Sequence, residues 1–235
     1  MDQEYPNLEV IVRDGRSTDG TLEIINKYVK KYPNVFSLEV RSDKGQVEAI
    51  NRGLEKSVGD ILTYINADDV YENGALIKVG EYFAIHTNTL WLAGRGRVID
   101  QSGNEIAKLV TSYKNFLLSF NSYYLLLTTN YLIQPSVFLN KSIFEKYAPF
   151  LGSGGSVMEY DLWLKIGKDS MPSVISDNLS AFRITNDSLS STLFRSILAK
   201  DFQIAVKYTK NPLILFLHYL HNLGRVAALY LLRQT

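Results

Sequence analysis

The chain contains no cysteine, which excludes disulfides and thiolate metal sites and makes a reducing compartment the expectation. Charge of one sign is not in excess either: 25 basic residues face 24 acidic ones, for a formal net charge of +1. A nucleic-acid binder is expected to carry a strong basic surplus, so that class is set aside. The stretch MDQEYPNLEV has neither the basic n-region nor the apolar h-region of a secretory signal. No run reaches the ~18 uninterrupted apolar residues of a membrane span. The nearest approach is PLILFLHYLHNLGRVAALYLL, interrupted by His218, His221, Asn222 and Arg225. It reads as a terminal helix packed on the core, with a helix lying in a membrane interface as the alternative. His86, His218 and His221 do not stand at metal-ligand spacing near any motif. A cytoplasmic location, with peripheral membrane contact through the C-terminal helices as its variant, is the expectation.

What is present suits one sizeable folded domain: 235 residues, 46% hydrophobic and 21% charged. LEVIVRD (8–14) is a β-branched run ending in Asp-Gly, a strand and its turn. Behind it, Leu22, Ile25 and Val29 recur at helical spacing, with Ser17 and Thr18 as N-cap candidates. VFSLEV (35–40) reads as a second strand. GQVEAINRGLEKSVG (45–59) reads as a helix stopped by Gly59, and DILTYI (60–65) as a third strand. This alternation predicts an α/β fold with parallel pairing and right-handed crossovers. In such sheets ligands gather beyond the carboxyl ends of the strands. Asp14, Asp68 and Asp69 all fall there. Further on, the sequence predicts a helix over 73–86 and a hairpin over 91–109 turning at QSGN. A strand around LIQPSVFLN, helices at KSIFEKY and EYDLWLKIG, a strand at SVISDNLSAFRI and two terminal helices follow.

Two adjacent carboxylates repel, and both stay ionised only beside a cation or strong donors. Mg²⁺ and Mn²⁺ prefer oxygen ligands, typically one or two carboxylates with substrate phosphates. Asp68 and Asp69 could hold such an ion against a departing diphosphate. The plainer alternative is a solvated turn, where aspartate bonds the nearby backbone.

The motifs in combination favour chemistry. YPNLEVIVRDGRSTDGTLEII, SDKGQVEAINRGL, GDILTYINADDVYENGAL, IQPSVFLNKSIFEKY and EYDLWLKI follow one another in an order and spacing that resembles the family 2 glycosyltransferases of GT-A fold, over about residues 5–190. The resemblance implies a Rossmann-like, mostly parallel sheet flanked by helices, N-terminally shortened, with C-terminal helices. It divides the chain into a nucleotide-sugar half (1–105), an acceptor half (106–190) and a helical extension (191–235). It further implies inverting transfer from a nucleotide-diphosphate donor, a UDP-sugar foremost, to a glycan or lipid-linked acceptor in surface polysaccharide or glycan assembly. By the same resemblance Asp14 contacts the nucleoside, and Asp43 and Lys44 lie near base and ribose. Asp68 and Asp69 bind ribose and a divalent metal, Mn²⁺ or Mg²⁺, with Asn66 at an often acidic place. Gln134 and Pro135 line the acceptor side.

Inverting transfer also needs a carboxylate to take the acceptor's proton. Glu159 and Asp161 are the candidates; two apart on a helix, they cannot share a face. Where the family carries two acids before an aromatic residue, this chain has Met158 and Glu159, so Glu159 is the expected base and Asp161 a structural acid. Trp163 reads as core, Arg95 and Arg97 as the wet face of a strand, and the Gly-rich stretch 152–156 as a closing lid or a plain connection. The resemblance also implies a strand and helix ahead of YPNLEV, the strand lying centrally beside the one ending at Asp14. Its absence here makes an inactive nucleotide- or glycan-binding homologue the alternative function. A nucleotidyltransferase is a third reading, lacking its usual Gly-rich, basic loop.

Overall fold

The computed structural model describes residues 3–150, 157–185 and 194–232. It opens with the expected alternation: β1 (Val10–Asp14), α1 (Thr21–Lys31), β2 (Phe36–Val40), α2 (Gln46–Lys56) and β3 (Ile61–Leu62). β1 and β2 pair in parallel, from Val10 opposite Phe36 to Asp14 opposite Val40, as strands linked through a helix do. α1 starts later than its sequence suggests. Asp14 draws Ser17 into its own turn, Gly20 takes the left-handed conformation at φ 91°, and the helix begins at Thr21. α2 buries Val47 and Leu54 and stops at Lys56, ahead of Gly59, with Ser57 as its cap; the Ser57 hydroxyl donates to the Leu54 carbonyl at 2.6 Å.

The rest of the chain forms β4 (Val70–Tyr71), α3 (Ala75–Ile85), β5 (Trp91–Ile99), β6 (Glu105–Ile106), α4 (Lys108–Phe120) and α5 (Tyr123–Thr128). A 3₁₀ turn (Gln134–Ser136), β7 (Val137–Asn140), α6 (Lys141–Tyr147), α7 (Met158–Gly167), β8 (Ser173–Arg183), α8 (Phe194–Tyr208) and α9 (Pro212–Leu232) complete it. The main sheet runs β3-β7-β5-β8-β4, with β6 on β5. Among the described residues parallel pairing is confined to β1–β2 and β5–β8; β7, β4 and β6 run back along their neighbours. The β5–β6 hairpin turns where QSGN predicts, with Asp100 Oδ1 accepting from the Asn104 amide at 2.8 Å. β8 presses close on β5: a Cβ at Gly94 would lie 2.4 Å from Leu179 Cδ1, so only glycine fits there.

DILTYI keeps only Ile61 and Leu62 in the ladder. Thr63 still donates its hydroxyl to the Val137 carbonyl at 3.0 Å, but from there the chain leaves the sheet. Among the described residues no ladder joins β1–β2 to the main sheet, and β3 pairs on one side, with β7. This interval is where the resemblance expects a further strand. Side chains on and beside α2 connect the two sheets. Asn51 exchanges two hydrogen bonds with the Phe150 backbone, at 2.9 and 2.8 Å, and Gln46 donates to Asn66 Oδ1 at 2.7 Å.

The core lies between the main sheet and α4–α8. Trp163 belongs to it, as its helical spacing predicts, stacked on Trp91 at 5.6 Å with both indoles buried. Each such side chain contributes on the order of 2–3 kcal/mol by leaving water. α8 packs on α7, and α9 on α5 and α8. No helix among the described residues is long and apolar enough to cross a membrane.

Candidate active site

The segment leaving β3 builds the centre of the site. The Tyr64 ring meets Phe150 edge-on at 5.6 Å, and its hydroxyl donates to Glu159 Oε1 at 2.7 Å. The Tyr64 carbonyl accepts from Gln134 Nε2 at 2.8 Å. Two residues further, Asn66 Nδ2 donates to Asp69 Oδ2 at 3.1 Å. Arg183, the last residue of β8, closes the loop from the other side. Its amide donates to Asp69 Oδ1 at 2.8 Å, its Nε to the Asp68 carbonyl at 2.8 Å, and its Nη1 to the Asp100 carbonyl at 2.8 Å. Asp68 is exposed and Asp69 is buried. Burial pushes the Asp69 carboxyl up to about 6, against the lowering effect of the Arg183 amide and Asn66.

The nucleoside-side candidates are engaged within the fold. Asp14 is buried and accepts from the Arg16 and Ser17 amides, each at 2.8 Å, and from the Ser17 hydroxyl at 2.7 Å. The Ser17 hydroxyl is the main reason its carboxyl lies below the usual range. Asp43 receives Arg13 Nη2 on both oxygens at 2.9 Å and Arg52 Nη1 at 3.2 Å. Lys44 is exposed, and its amide donates to Glu48. The Arg41 amide, donating to the Asp14 carbonyl at 2.9 Å, ties the ends of β1 and β2 together, and the Gln46–Asn66 bond joins the start of α2 to the Tyr64–Asp69 segment.

Glu159 and Asp161, both in the first turn of α7, face different surroundings. Glu159 is half-buried against Tyr64. Burial raises its carboxyl above the ordinary glutamate range, and the Tyr64 hydrogen bond opposes that rise. Asp161 is buried toward α8, where Oδ1 accepts from Lys207 Nζ at 3.3 Å and its carbonyl accepts from the Tyr208 hydroxyl at 3.1 Å. Arg97 is paired with Glu72. The stretch 152–156 lies outside the described residues.

Among the described residues no group of three or more His, Cys, Asp or Glu side chains converges as a metal cage. A cation could therefore be held by Asp68 and Asp69 together with diphosphate oxygens, an arrangement common for Mg²⁺. The donor set fits: both ligands are hard carboxylate oxygens, and a positive charge would offset the desolvation that raises Asp69.

Two side chains central to this geometry, Tyr64 and Arg183, escape sequence reasoning, and a third, Gln134, is expected only as lining of the acceptor side. Tyr64 and Gln134 lie in the quoted motifs, but nothing in their spacing says that both meet at one peptide. Arg183 ends a long strand, and its grip on a loop more than a hundred residues earlier is a tertiary fact. The only signal available for Tyr64 was a polar hydroxyl in an otherwise apolar run, which needs a partner once buried.

The sheet, its flanking helices and the acidic strand-end loop define a GT-A glycosyltransferase fold. A mannosyltransferase from Pyrobaculum calidifontis, PcManGT, solved in complex with GDP-Man and Mn²⁺, matches over 97% of this chain and 66% of its own, with TM-score 0.69 and 19% identity. S. aureus TarS (1–349), solved with UDP-GlcNAc, matches over 88% and 64%, with TM-score 0.60 and 18% identity. In sequence, the family described as Glycosyl transferase family 2 matches residues 1–148, and the chain belongs to that family. An uncharacterized glycosyltransferase of Haemophilus influenzae is 36% identical over 114 residues, covering 48% of this chain and 45% of its own. TuaG of Bacillus subtilis, provisionally named for teichuronic acid biosynthesis, is 26% identical over 110 residues, covering 47% and 43%. These matches take in less than half the length of either curated relative.

Proposed function

We propose that this domain moves a sugar from a nucleotide-diphosphate donor to an acceptor hydroxyl with inversion, as a step in surface polysaccharide or glycan assembly. The observation that carries the reading is the Tyr64–Asp69 segment, which ends in the paired aspartates and begins at a tyrosine bonded to Glu159. In an inverting displacement, the base and the group that stabilises the leaving diphosphate must flank one sugar. A single short segment tied to both holds them in fixed relation. The donor class comes from the structural relatives, which bind GDP-Man and UDP-GlcNAc; a UDP-sugar is our first expectation. The polysaccharide role comes from the name of TuaG.

Glu159 takes the acceptor's proton. Its raised carboxyl makes it a stronger base once ionised, and the Tyr64 hydroxyl fixes one oxygen so that the other can meet the acceptor. Asp68 and Asp69 would hold a divalent cation, Mn²⁺ or Mg²⁺, which when bound neutralises charge on the departing diphosphate. Arg183 and Asn66 fix the Asp69 carboxylate, and Arg183 also holds the Asp68 carbonyl. Asp14 and Asp43 shape the nucleoside loops through the bonds they accept, and Gln134 sets the acceptor side by holding the Tyr64 carbonyl.

A second reading, nucleotide or glycan binding without transfer, rests on Met158, which stands where the family carries the first of two acids. One experiment separates the two. Calorimetric titration with UDP, GDP and dTDP, with and without Mn²⁺, is paired with turnover of the matching nucleotide sugars. Transfer predicts Mn²⁺-dependent binding of at least one nucleotide, lost in Asp69→Ala, and turnover abolished in Glu159→Gln while binding persists. Nucleotide binding with no turnover in the unaltered protein would establish the second reading instead.

A further inference from the structure

α4 and α9 each carry an apolar stripe that faces outward. On α4, Leu109, Tyr113, Phe116 and Phe120 recur at helical spacing and all face outward, Leu109 at 89% exposure and Phe116 at 59%. The inward side of the same helix sets polar groups beside the buried Leu117 and Leu118. Lys114 Nζ donates to the Leu132 carbonyl at 3.1 Å, Asn115 Nδ2 to the Gly96 carbonyl at 3.0 Å, and Thr111 is buried. α9 repeats the pattern, with Ile214 packed against the core. Its Leu213, Phe216, Leu217, Leu220 and Leu223 are exposed. His218, by contrast, is buried with Nδ1 2.9 Å from the Leu127 carbonyl, Asn222 donates to the Leu198 carbonyl at 3.1 Å, and Arg225 reaches Asp201 at 3.0 Å. The two helices meet where Tyr113 stacks on His221 at 5.4 Å. Their outward stripes therefore belong to one side of the molecule, with exposed Tyr124 of α5 following α4.

An exposed apolar face of this size marks an interaction surface, and charge identifies what it meets. Residues 106–144 contain no aspartate or glutamate, and Asp201 is the last acidic residue of the sequence. Among the described residues, the exposed ionic groups on these two stretches are lysines; Lys108 and Lys210 have no acidic partner, while Lys207 on α8 pairs with Asp161. A two-fold contact between copies through this face would oppose lysines with no acid to compensate them. An anionic bilayer complements both features: aliphatic and aromatic side chains enter the interface while lysines reach headgroup phosphates. We infer that the α4–α9 face seats this domain on an anionic lipid surface without crossing it. The inference does not depend on the catalytic reading.

The test uses the whole chain in flotation with phosphatidylcholine vesicles, with and without an equal share of phosphatidylglycerol. The expected result is binding to the anionic vesicles at least about tenfold tighter than to the neutral ones, weakening with salt. A Phe116→Ser, Phe216→Ser, Leu220→Ser triple variant should lose at least about tenfold in that binding with an unchanged melting temperature. A second readout does not depend on the triple variant folding. Leu109→Trp places an indole at the most exposed point of the face, while Trp91 and Trp163 are buried. Its emission should shift to the blue when anionic vesicles are added. The inference fails if the unaltered chain does not float, if Leu109→Trp emission stays put, or if a folded triple variant floats equally well. It also fails if the chain sediments as a dimer that the triple substitution splits while neither form binds vesicles, since a second copy then covers the face.

Discussion

The hydroxyl of Tyr64 donates to Glu159 Oε1 at 2.7 Å, joining the loop that carries the paired aspartates to the carboxylate at the start of α7. The bond favours the ionised carboxylate, while burial favours the protonated one and is the larger effect. Replacing Tyr64 by Phe keeps the ring against Phe150 and removes only the donor. The acid limb of the kcat/KM profile should then move to higher pH, with kcat reduced about tenfold or more near neutrality. Stability follows the same sign. A carboxyl raised on folding contributes stability that is present below the ordinary glutamate pKa and lost as pH climbs to the raised value, so Tyr64→Phe should extend that loss to higher pH. A pH–rate profile unchanged by the substitution would rule out the positioning role.

Arg183 holds the aspartate loop by two means, its amide to Asp69 and its guanidinium to the Asp68 and Asp100 carbonyls. Arg183→Ala leaves the first and removes the second. The loop should loosen without losing its carboxylates, so the donor KM should rise about tenfold or more while stability falls by about 1–3 kcal/mol. Nucleotide titration with Mn²⁺ beside a denaturation curve checks both. A lower kcat at unchanged KM would place Arg183 in the chemical step instead.

Local pattern carried much of this architecture. β-branched runs, turn glycines and helical spacing located β1, α2, α3, the β5–β6 hairpin and α7, because each is specified by neighbours a few residues away. Two things were not local. The start of α1 moved because Asp14 competes for Ser17, the residue that spacing marks as a cap. DILTYI lost most of its ladder because the chain turns at Thr63 into the site. The site divides the same way: its acids stand at strand ends and a helix start, where topology says ligands collect. What orients them — Tyr64, Gln134 and Arg183 — comes from elements far apart in sequence, and no periodicity encodes those meetings. The outward apolar face of α4 hid for a related reason, and that of α9 stayed one of two readings, since helical spacing identifies a stripe without saying whether it faces the core.

Lys114 points inward from α4 to the Leu132 carbonyl, and its ammonium is lowered to about 8, chiefly by burial and next by Arg225, with Asp201 and Glu159 opposing. A lysine lowered on folding costs stability wherever it is charged in both states, on the order of 3 kcal/mol here. That cost should fade as pH rises from about 8 toward the ordinary lysine value. The melting temperature of the unaltered chain relative to Lys114→Met should therefore climb across that window. Thermal melts at a series of alkaline pH values measure it, and a flat difference would mean that the ammonium is solvated.

Glu159 and Asp161 sit in one helical turn, yet their surroundings differ. Glu159 looks back to Tyr64 and the aspartate loop, whereas Asp161 is turned to Lys207 and Tyr208 on α8. Glu159→Gln keeps size and hydrogen-bonding capacity but cannot accept a proton, so kcat should fall about 10²–10⁴-fold with donor binding retained. Asp161→Asn removes a charge facing a mostly exposed lysine, a pairing that contributes about 1 kcal/mol at most, and should leave kcat within a few-fold of the parent. Glu159→Asp tests reach: the shorter side chain cannot both hold the Tyr64 hydroxyl and meet the acceptor, so it should recover only part of the lost rate. Steady-state kinetics on the three variants, each beside a melting curve, decide the matter. If Asp161→Asn loses the larger share of kcat while remaining folded, the base is Asp161, and the Tyr64 bond to Glu159 is a packing contact.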